Sequence, residues 1–182
     1  MWAILMAATF SLVNSNNACK LYYEYSNGDT VLLYKKDTLI KASKDPVVLE
    51  CRFSKKSLTK YNSSLKTILI LENPTVITAP EGVYELYVTD QLPQTDKLSS
   101  SQPSFITILD LYSFTAPGAK HLLEVDISKH IGKYFLQAQS CTTIYISLHF
   151  DPIKLSDGTY SSNAGEIRFT GIRIKQVKNL LP

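Results

Sequence analysis

Few side chains in the sequence have the types and spacing that catalysis requires. The three histidines, His121, His130 and His149, are well separated, and none belongs to a metal-binding pattern such as His-Glu-x-x-His. The sequence contains no Gly-x-Ser-x-Gly turn and no glycine-rich phosphate loop. Glu124 and Asp126 alternate onto one strand face, which is more typical of a solvated surface than of paired acid–base carboxylates. The sequence therefore predicts a protein that is not an enzyme and that has no metal site and no cofactor.

The chemistry that the sequence favours is recognition. The chain has 11 tyrosines, and tyrosine is enriched at protein interfaces because it joins an apolar ring to a polar hydroxyl. Tyr22, Tyr84 and Tyr145 lie on the less apolar alternate positions of their predicted strands, so they are candidate binding-face residues. The alternative is that they border the core with their hydroxyls reaching water. Trp2 is the single tryptophan, which weighs against a typical site for stacking sugar rings.

Composition limits the class of protein. Of the 182 residues, 45% are hydrophobic and 19% are charged, the balance of a globular domain. The net charge of +3 is small and no run of Lys or Arg exceeds two, so nucleic-acid binding is not expected. The longest uncharged apolar segment, Trp2 to Val13, is shorter than the roughly 20 residues that span a bilayer, so no membrane span is expected.

That same segment resembles the apolar part of a secretory signal. We predict a signal peptide at residues 1–15, cleaved after Ser15, and a single secreted domain over residues 16–182. One alternative is that the segment forms a buried first strand or helix. Another is a lipoprotein signal that ends at Cys19, although the residues before Cys19 fit that pattern poorly.

Secretion would place the thiols in an oxidising compartment. The three cysteines leave at least one unpaired within the chain. Cys51 occupies the same alternate positions as the apolar residues of its predicted strand, 47–53. Cys141 lies just before the strand 142–150 and falls on the positions opposite to the apolar residues of that strand. We therefore predict that Cys51 is buried and that Cys19 and Cys141 form a disulfide, with a bond from Cys19 to a second chain as the alternative. Asn62, in Asn62-Ser63-Ser64, is the predicted glycosylation site.

Alternation of apolar and polar residues with period two dominates the chain and indicates strands. Asn27-Gly28 predicts a tight hairpin turn. The apolar alternation shifts by one residue at Gly171, which predicts a β-bulge. The predicted strands, in chain order, are 20–25, 30–34, 47–53, 66–71, 83–88, 105–114, 122–128, 142–150 and 166–177.

After Ile127 the apolar spacing changes to that of a short helix, predicted over 129–136. Ser128 is placed to cap its first turn, and Ile131, Tyr134 and Phe135 are expected to be buried. With one short helix and eight or nine strands separated by turn signals, the sequence predicts an all-β fold: an antiparallel β-sandwich of jelly-roll type.

Residues 105–150 resemble the propeptides of the transforming-growth-factor-β family and a class of bacterial extracellular jelly-roll domains. The resemblance rests on a strand–helix–strand unit whose pattern this chain matches at Val125, Asp126, Ile127, Ser128, Ile131, Tyr134 and Phe135. Tyr134 stands where tryptophan is usual. The last strand, GEIRFTGIRI, resembles the closing strand of galactose-binding-like jelly rolls. These resemblances imply a jelly-roll fold and a binding role.

Three functions fit these features. The favoured one is a secreted, non-catalytic recognition module for an extracellular protein, which the propeptide resemblance implies is a growth factor or cytokine. The second is a carbohydrate-binding module that takes a glycan, which the galactose-binding-like resemblance implies. The third is a structural coat or matrix protein that self-associates as a homo-oligomer. A glycan array and sedimentation measurements would separate the three.

Overall fold

The fold is a sandwich of two antiparallel β-sheets, seen in a computed structural model that describes residues 30–94, 98–111, 122–138 and 140–178. This confirms the predicted all-β sandwich. The described elements are β1 (Thr30–Ala42), β2 (Val47–Phe53), α1 (Lys55–Leu58), β3 (Lys66–Glu72), β4 (Thr75–Thr78), β5 (Gly82–Thr89), β6 (Phe105–Leu109), β7 (Leu122–Asp126), α2 (Ser128–Gln137), β8 (Thr142–Pro152) and β9 (Glu166–Val177).

The strand order is that of a jelly roll. The first sheet has the order β1-β9-β3-β7, and the short strand β4 pairs with β9 beyond the end of β3. The second sheet has the order β2-β8-β5-β6. Apart from β4 and the β5–β6 pair, each strand lies in the opposite sheet from its predecessor, which gives the two interlocked Greek keys of this fold.

The core lies between the sheets and follows the alternation in the sequence. In β2, Cys51 and Phe53 are fully buried while Glu50 and Arg52 are exposed, as predicted. In β8 the predicted inward set is likewise buried: Ile144, Ile146, Leu148 and Phe150. A strand turns successive side chains to opposite faces, so one apolar face is enough to fix the register of each strand.

The helix α2 lies across one end of the sandwich, close to its predicted position. Ser128 does not cap it: the residue at the N-cap position is Ile127, and it makes no side-chain cap hydrogen bond. The Ser128 Oγ instead accepts a hydrogen bond from the Thr67 N–H at 2.7 Å and donates to Asp126 Oδ1 at 2.5 Å. Ser128 thereby joins the start of the helix to β3. Neither described helix is long and apolar enough to cross a membrane.

Phe135, rather than Tyr134, is the aromatic anchor of α2. Its ring packs edge-on against Phe53, with centroids 4.7 Å apart, and against Tyr61, with centroids 4.9 Å apart. Tyr134 is half-buried and lies under the Lys133 ammonium. The expected burial is confirmed for Ile131 and Phe135 and is wrong for Tyr134, because the helical turn directs residues 131 and 135 at the core and moves residue 134 to its margin.

Two elements and part of a third were not predicted. β4 and the one-turn helix α1 are too short to show a periodic pattern. β1 runs on from the predicted end at Tyr34 to Ala42 through the charged segment Lys35-Lys36-Asp37. Those charges suit an edge strand, because they discourage pairing with another chain. The predicted strand over 20–25 and its Asn27-Gly28 turn lie outside the described residues.

The shift of alternation at Gly171 is present, but the bulge is in the neighbouring strand. Phe169 and Ile172 are both buried although they are three positions apart. Asp37 pairs with Gly171, and Ile40 pairs with Phe169. β1 therefore carries the extra residue, and the prediction of a bulge in β9 at Gly171 is wrong.

We expect the free energy of unfolding to fall steeply in alkaline solution. Burial raises the pKa of the Cys51 thiol from 9.0 to about 12 and that of the Tyr84 hydroxyl from 10.0 to about 12. The folded state holds these protons more tightly, so the stabilisation is complete below the unfolded-state pKa values and is lost as the pH rises towards about 12. Urea unfolding from pH 7 to about 11 measures the decline, which Cys51→Val should weaken at its lower end. A flat profile would contradict the burial of both groups.

Candidate functional site

A groove of about 290 Å³ lies on the outer face of the first sheet. We call it the sheet groove. Its residues come from all four main strands of that sheet, at positions that alternate with the core residues. They are Thr30 and Leu32 from β1, Ile70 and Glu72 from β3, Leu122 from β7, and Arg173 and Lys175 from β9.

The floor of the groove is aliphatic. Ile70 is only 3% exposed, although its neighbours Leu69 and Leu71 are the ones that point into the core. Leu122 lies on the neighbouring strand β7, and Leu32 lies on β1, which is separated from β3 by β9. The central strand β3 therefore buries apolar side chains on both faces, which explains the unbroken apolar run at residues 68–71.

One wall of the groove is a partly buried ion pair. The Glu72 carboxylate is buried and lies in close contact with the Arg173 Nε. Glu72 pairs across the sheet with Gly171, and a Cβ at position 171 would stand only 2.6 Å from Glu72 Oε2. A side chain at position 171 would therefore displace the Glu72 carboxylate from its present position. The Arg173 guanidinium carries five N–H donors. Those that do not face Glu72 can donate hydrogen bonds to a ligand in the groove.

The other charged pair is exposed. Lys175 Nζ lies 3.1 Å from Glu124 Oε1, and the two side chains are 27% and 50% exposed. Exposed pairs of this kind stabilise a protein by about 0.2–1 kcal/mol, so a ligand could displace one partner at little cost. The residues that line the groove include one acid, Glu72, and two cations, Arg173 and Lys175, and Glu124 borders the groove through its pair with Lys175.

A second set of polar residues lies on the outer face of the second sheet. Across β5 and β8, Glu85 pairs with His149 and Tyr87 pairs with Ser147. The Tyr87 hydroxyl donates a hydrogen bond to Glu85 Oε2 at 2.5 Å, and both side chains are buried. Burial and the neighbouring Glu85 carboxylate raise the pKa of Tyr87 far above its ordinary value. Within the described residues, Ser147 Oγ and His149 Nδ1 are buried and have no hydrogen-bond partner.

We expect Tyr87→Phe to lower the free energy of unfolding by about 1.5–3 kcal/mol, because it removes the donor of a buried bond to a carboxylate. Chemical denaturation at neutral pH measures the loss. Tyr145→Phe, a change of the same size at a half-buried position on the same face, is the matched control and should shift stability by less than about 0.5 kcal/mol. Equal effects of the two changes would show that the Tyr87–Glu85 bond contributes little.

The predicted tyrosine face is not assembled in the described residues. Tyr84 is buried, and its hydroxyl donates to the Ala164 carbonyl at 2.9 Å. Its assignment to a binding face is wrong because Tyr84 shares the inward parity of β5 with Leu86 and Val88. Tyr145 is half-buried on the outer face of the second sheet, away from the sheet groove, and Tyr22 lies outside the described residues.

The remaining predicted sites lie at the surface. Cys141 is exposed and Cys51 is buried, as the alternation predicted, while Cys19 lies outside the described residues. Asn62 is exposed, and its Oδ1 accepts a hydrogen bond from the Ser64 N–H at 2.9 Å. The disulfide and the glycan stay predictions. Among the described residues, no three His, Cys, Asp or Glu side chains are grouped so that they could hold a metal ion.

The sheet groove was missed at the sequence level, although one signal for it was present. Ile68 and Ile70 are apolar at positions that alternate with the core residues Leu69 and Leu71. Apolar residues on both parities of a strand indicate that its second face is also covered or occupied. Glu124 was identified on an outward strand face, and its partner Lys175 lies 51 residues away in sequence.

Comparison with known proteins leaves the family open. No protein-family model matches the sequence, and no curated protein matches it significantly. The resemblance of residues 105–150 to growth-factor propeptides, and that of the last strand to galactose-binding-like domains, therefore contribute to a proposal and assign no family.

Proposed function

We propose that this chain is a secreted, non-catalytic recognition module that binds an extracellular protein in the sheet groove. The observation that carries the proposal is the composition of the groove. An aliphatic floor beside fixed charges of both signs suits a protein surface, where an apolar side chain is commonly surrounded by hydrogen-bonding groups. The ligand would be a protein segment that places an aliphatic side chain over Ile70 and a carboxylate against Arg173.

The groove is partly prepared for such a ligand. The ion pair with the buried Glu72 carboxylate restrains the Arg173 guanidinium before anything binds. A preorganised guanidinium loses less conformational entropy on binding, so more of its interaction energy appears as affinity. Arginine in such a setting is a frequent hot spot at protein interfaces.

A glycan ligand is less well supported by the same residues. Binding of a pyranose ring generally uses an aromatic side chain as a stacking surface, and none of the seven described groove residues is aromatic. A structural role as a coat or matrix protein predicts self-association. Sedimentation of the purified chain tests that alternative.

Capture from extracellular fluid with matched baits tests the proposal. The groove bait carries Leu122→Asp and Lys175→Glu, and the control bait carries Ile108→Asp on the second sheet and Lys44→Glu. We expect a specific set of proteins to be retained by the wild-type and control baits and lost from the groove bait. A protein set that is unaffected by the groove changes, or groove-dependent binding on a glycan array, would contradict the proposal.

A further inference from the structure

The order of side chains along β9 sets the position of the charges in the sheet groove. Arg173 and Lys175 both line the groove and are two residues apart, so they are separated by about 6.6–6.8 Å along the strand. Gly171, two residues before Arg173, is the residue that pairs with Glu72. Glu72 therefore approaches Arg173 from one direction along β9, and Lys175 lies in the other direction.

This order leaves room for an anion between the two cations. The side chains of Arg173 and Lys175 are both partly exposed. A carboxylate placed between them would meet the Arg173 guanidinium on the side away from Glu72 and would accept charge-assisted hydrogen bonds from both cations. It would take the place of Glu124 beside Lys175, and that exposed pair is weak.

The aliphatic floor begins one strand away from the cations. Ile70 of β3 is the cross-strand neighbour of Arg173, and Leu122 of β7 pairs with Glu72 on the far side of β3. Adjacent strands lie about 4.7–4.9 Å apart. A ligand that occupies both places must therefore hold an anionic group over β9 and an apolar group over β3 at a separation of about 5 Å.

The last residue of a polypeptide meets this requirement when it is leucine, isoleucine or valine. Its α-carboxylate and its side-chain methyl groups are joined through one α-carbon, so they lie about 3–5 Å apart at bond lengths of about 1.5 Å. Within an extended chain, successive side chains point to opposite faces, and side chains on the same face are about 6.6–6.8 Å apart. An internal acidic residue with an aliphatic neighbour therefore fits the groove less well.

We propose that the sheet groove binds the C-terminal residue of its protein partner, and that this residue is leucine, isoleucine or valine. The α-carboxylate lies between Arg173 and Lys175, and the aliphatic side chain lies over Ile70 towards Leu122. The assignment rests on the proposed function, because it names the part of a protein partner that enters the same groove.

Selection from a library of peptides with free C-termini tests the inference. Short random peptides are displayed at the C-terminus of a carrier protein and selected on the immobilised full chain. We expect leucine, isoleucine or valine to be enriched at the last position. An enriched peptide is then synthesised with a fluorescent label at its N-terminus, and its affinity is measured by fluorescence anisotropy.

Changes at the end of that peptide isolate the role of the carboxylate. Replacing the terminal carboxylate by an amide should weaken binding on the order of 10- to 100-fold, because hydrogen bonds to a charged acceptor are lost. Appending a glycine should weaken binding as well, because the terminal carboxylate and the aliphatic side chain then belong to different residues.

Variants of the chain locate the site. Lys175→Gln should weaken binding of the free-acid peptide by about tenfold. The double change Glu72→Gln/Arg173→Gln removes both members of the buried pair, so no unpaired charge is left behind, and it should abolish the difference between the free-acid and amidated peptides. The matched control, Glu166→Gln/Arg168→Gln, removes an ion pair of β9 whose residues do not line the groove, and it should bind as the wild type does. Circular dichroism checks that each variant is folded.

Three outcomes would overturn the inference. One is selection of no peptide, or of peptides without an aliphatic last residue. Another is groove-dependent binding that amidation leaves unchanged. The third is a control variant that binds as weakly as the groove variants do. In each case the capture of proteins from extracellular fluid with the groove and control baits still decides the proposed function, so failure of the inference and failure of the proposed function are distinguishable.

Discussion

Phe135→Ala should lower the free energy of unfolding by about 3–5 kcal/mol, the cost of emptying a buried aromatic site. The Phe135 ring joins three elements, since it contacts Phe53 at the end of β2 and Tyr61 after α1. Its loss would leave a cavity between α2 and the end of the sandwich that neighbouring strands, held by their ladders, can fill only in part. Chemical denaturation with far-ultraviolet circular dichroism measures the change.

Tyr134→Ala is the matched control, because it removes a neighbouring ring of similar size on the same helix. Tyr134 is half-buried at the margin of the core, so its removal should cost less than half as much as that of Phe135. If Tyr134→Ala were the more damaging of the two, α2 would have to be rotated from the orientation described.

Cys141→Ser should lower the stability of the exported protein by about 4–5 kcal/mol, because the predicted Cys19–Cys141 bond closes a loop of about 120 residues in the chain-entropy model. Cys51 is buried and Cys141 is exposed, which leaves Cys141 accessible to a second thiol. β1 and β8 both begin at the end of the sandwich where α2 lies, and the chain between Cys19 and Thr30 can extend over about 35 Å.

Peptide mapping without reduction checks the pairing, and Cys51→Ser serves as the control that should leave the disulfide intact. A Cys51–Cys141 peptide would contradict the inward orientation of Cys51. A peptide that joins two copies of Cys19 would show a covalent dimer in place of the internal bond. The same digest reports the mature N-terminus, which the predicted signal peptide places near Asn16.

The sandwich could be predicted because its strands alternate clearly. In β2 and β8 a single apolar parity faces the core, and the structure places Cys51, Ile144 and Ile146 there. When one face of a strand is buried, the residues that face the core can be predicted from the alternation of that strand alone, even when its partner strand is not known. The part of β1 beyond Tyr34 was not predicted because β1 is an edge strand. Charged residues are acceptable on an edge strand, so apolar and polar residues alternate less clearly there.

The sheet groove could not be predicted in the same way. Its residues come from four strands, and only the pairing of β9 with both β1 and β3 brings Leu32, Ile70 and Arg173 together. No pattern of neighbouring residues in the sequence indicates that these three side chains lie close together. The tyrosine face failed for a different reason: Tyr84 shares its alternate positions with Leu86 and Val88, which are the more apolar set of β5, while Glu85 lies on the opposite face.

The most direct test of the binding role places a photo-crosslinking amino acid in the sheet groove. Leu122 is the position to substitute, since it lies on the groove floor and is 42% exposed. Ile108, 51% exposed on the second sheet, is the control position. In extracellular fluid we expect a discrete crosslinked protein from position 122 and none from position 108. Crosslinking from position 108 alone, or from neither position, would contradict recognition through the sheet groove.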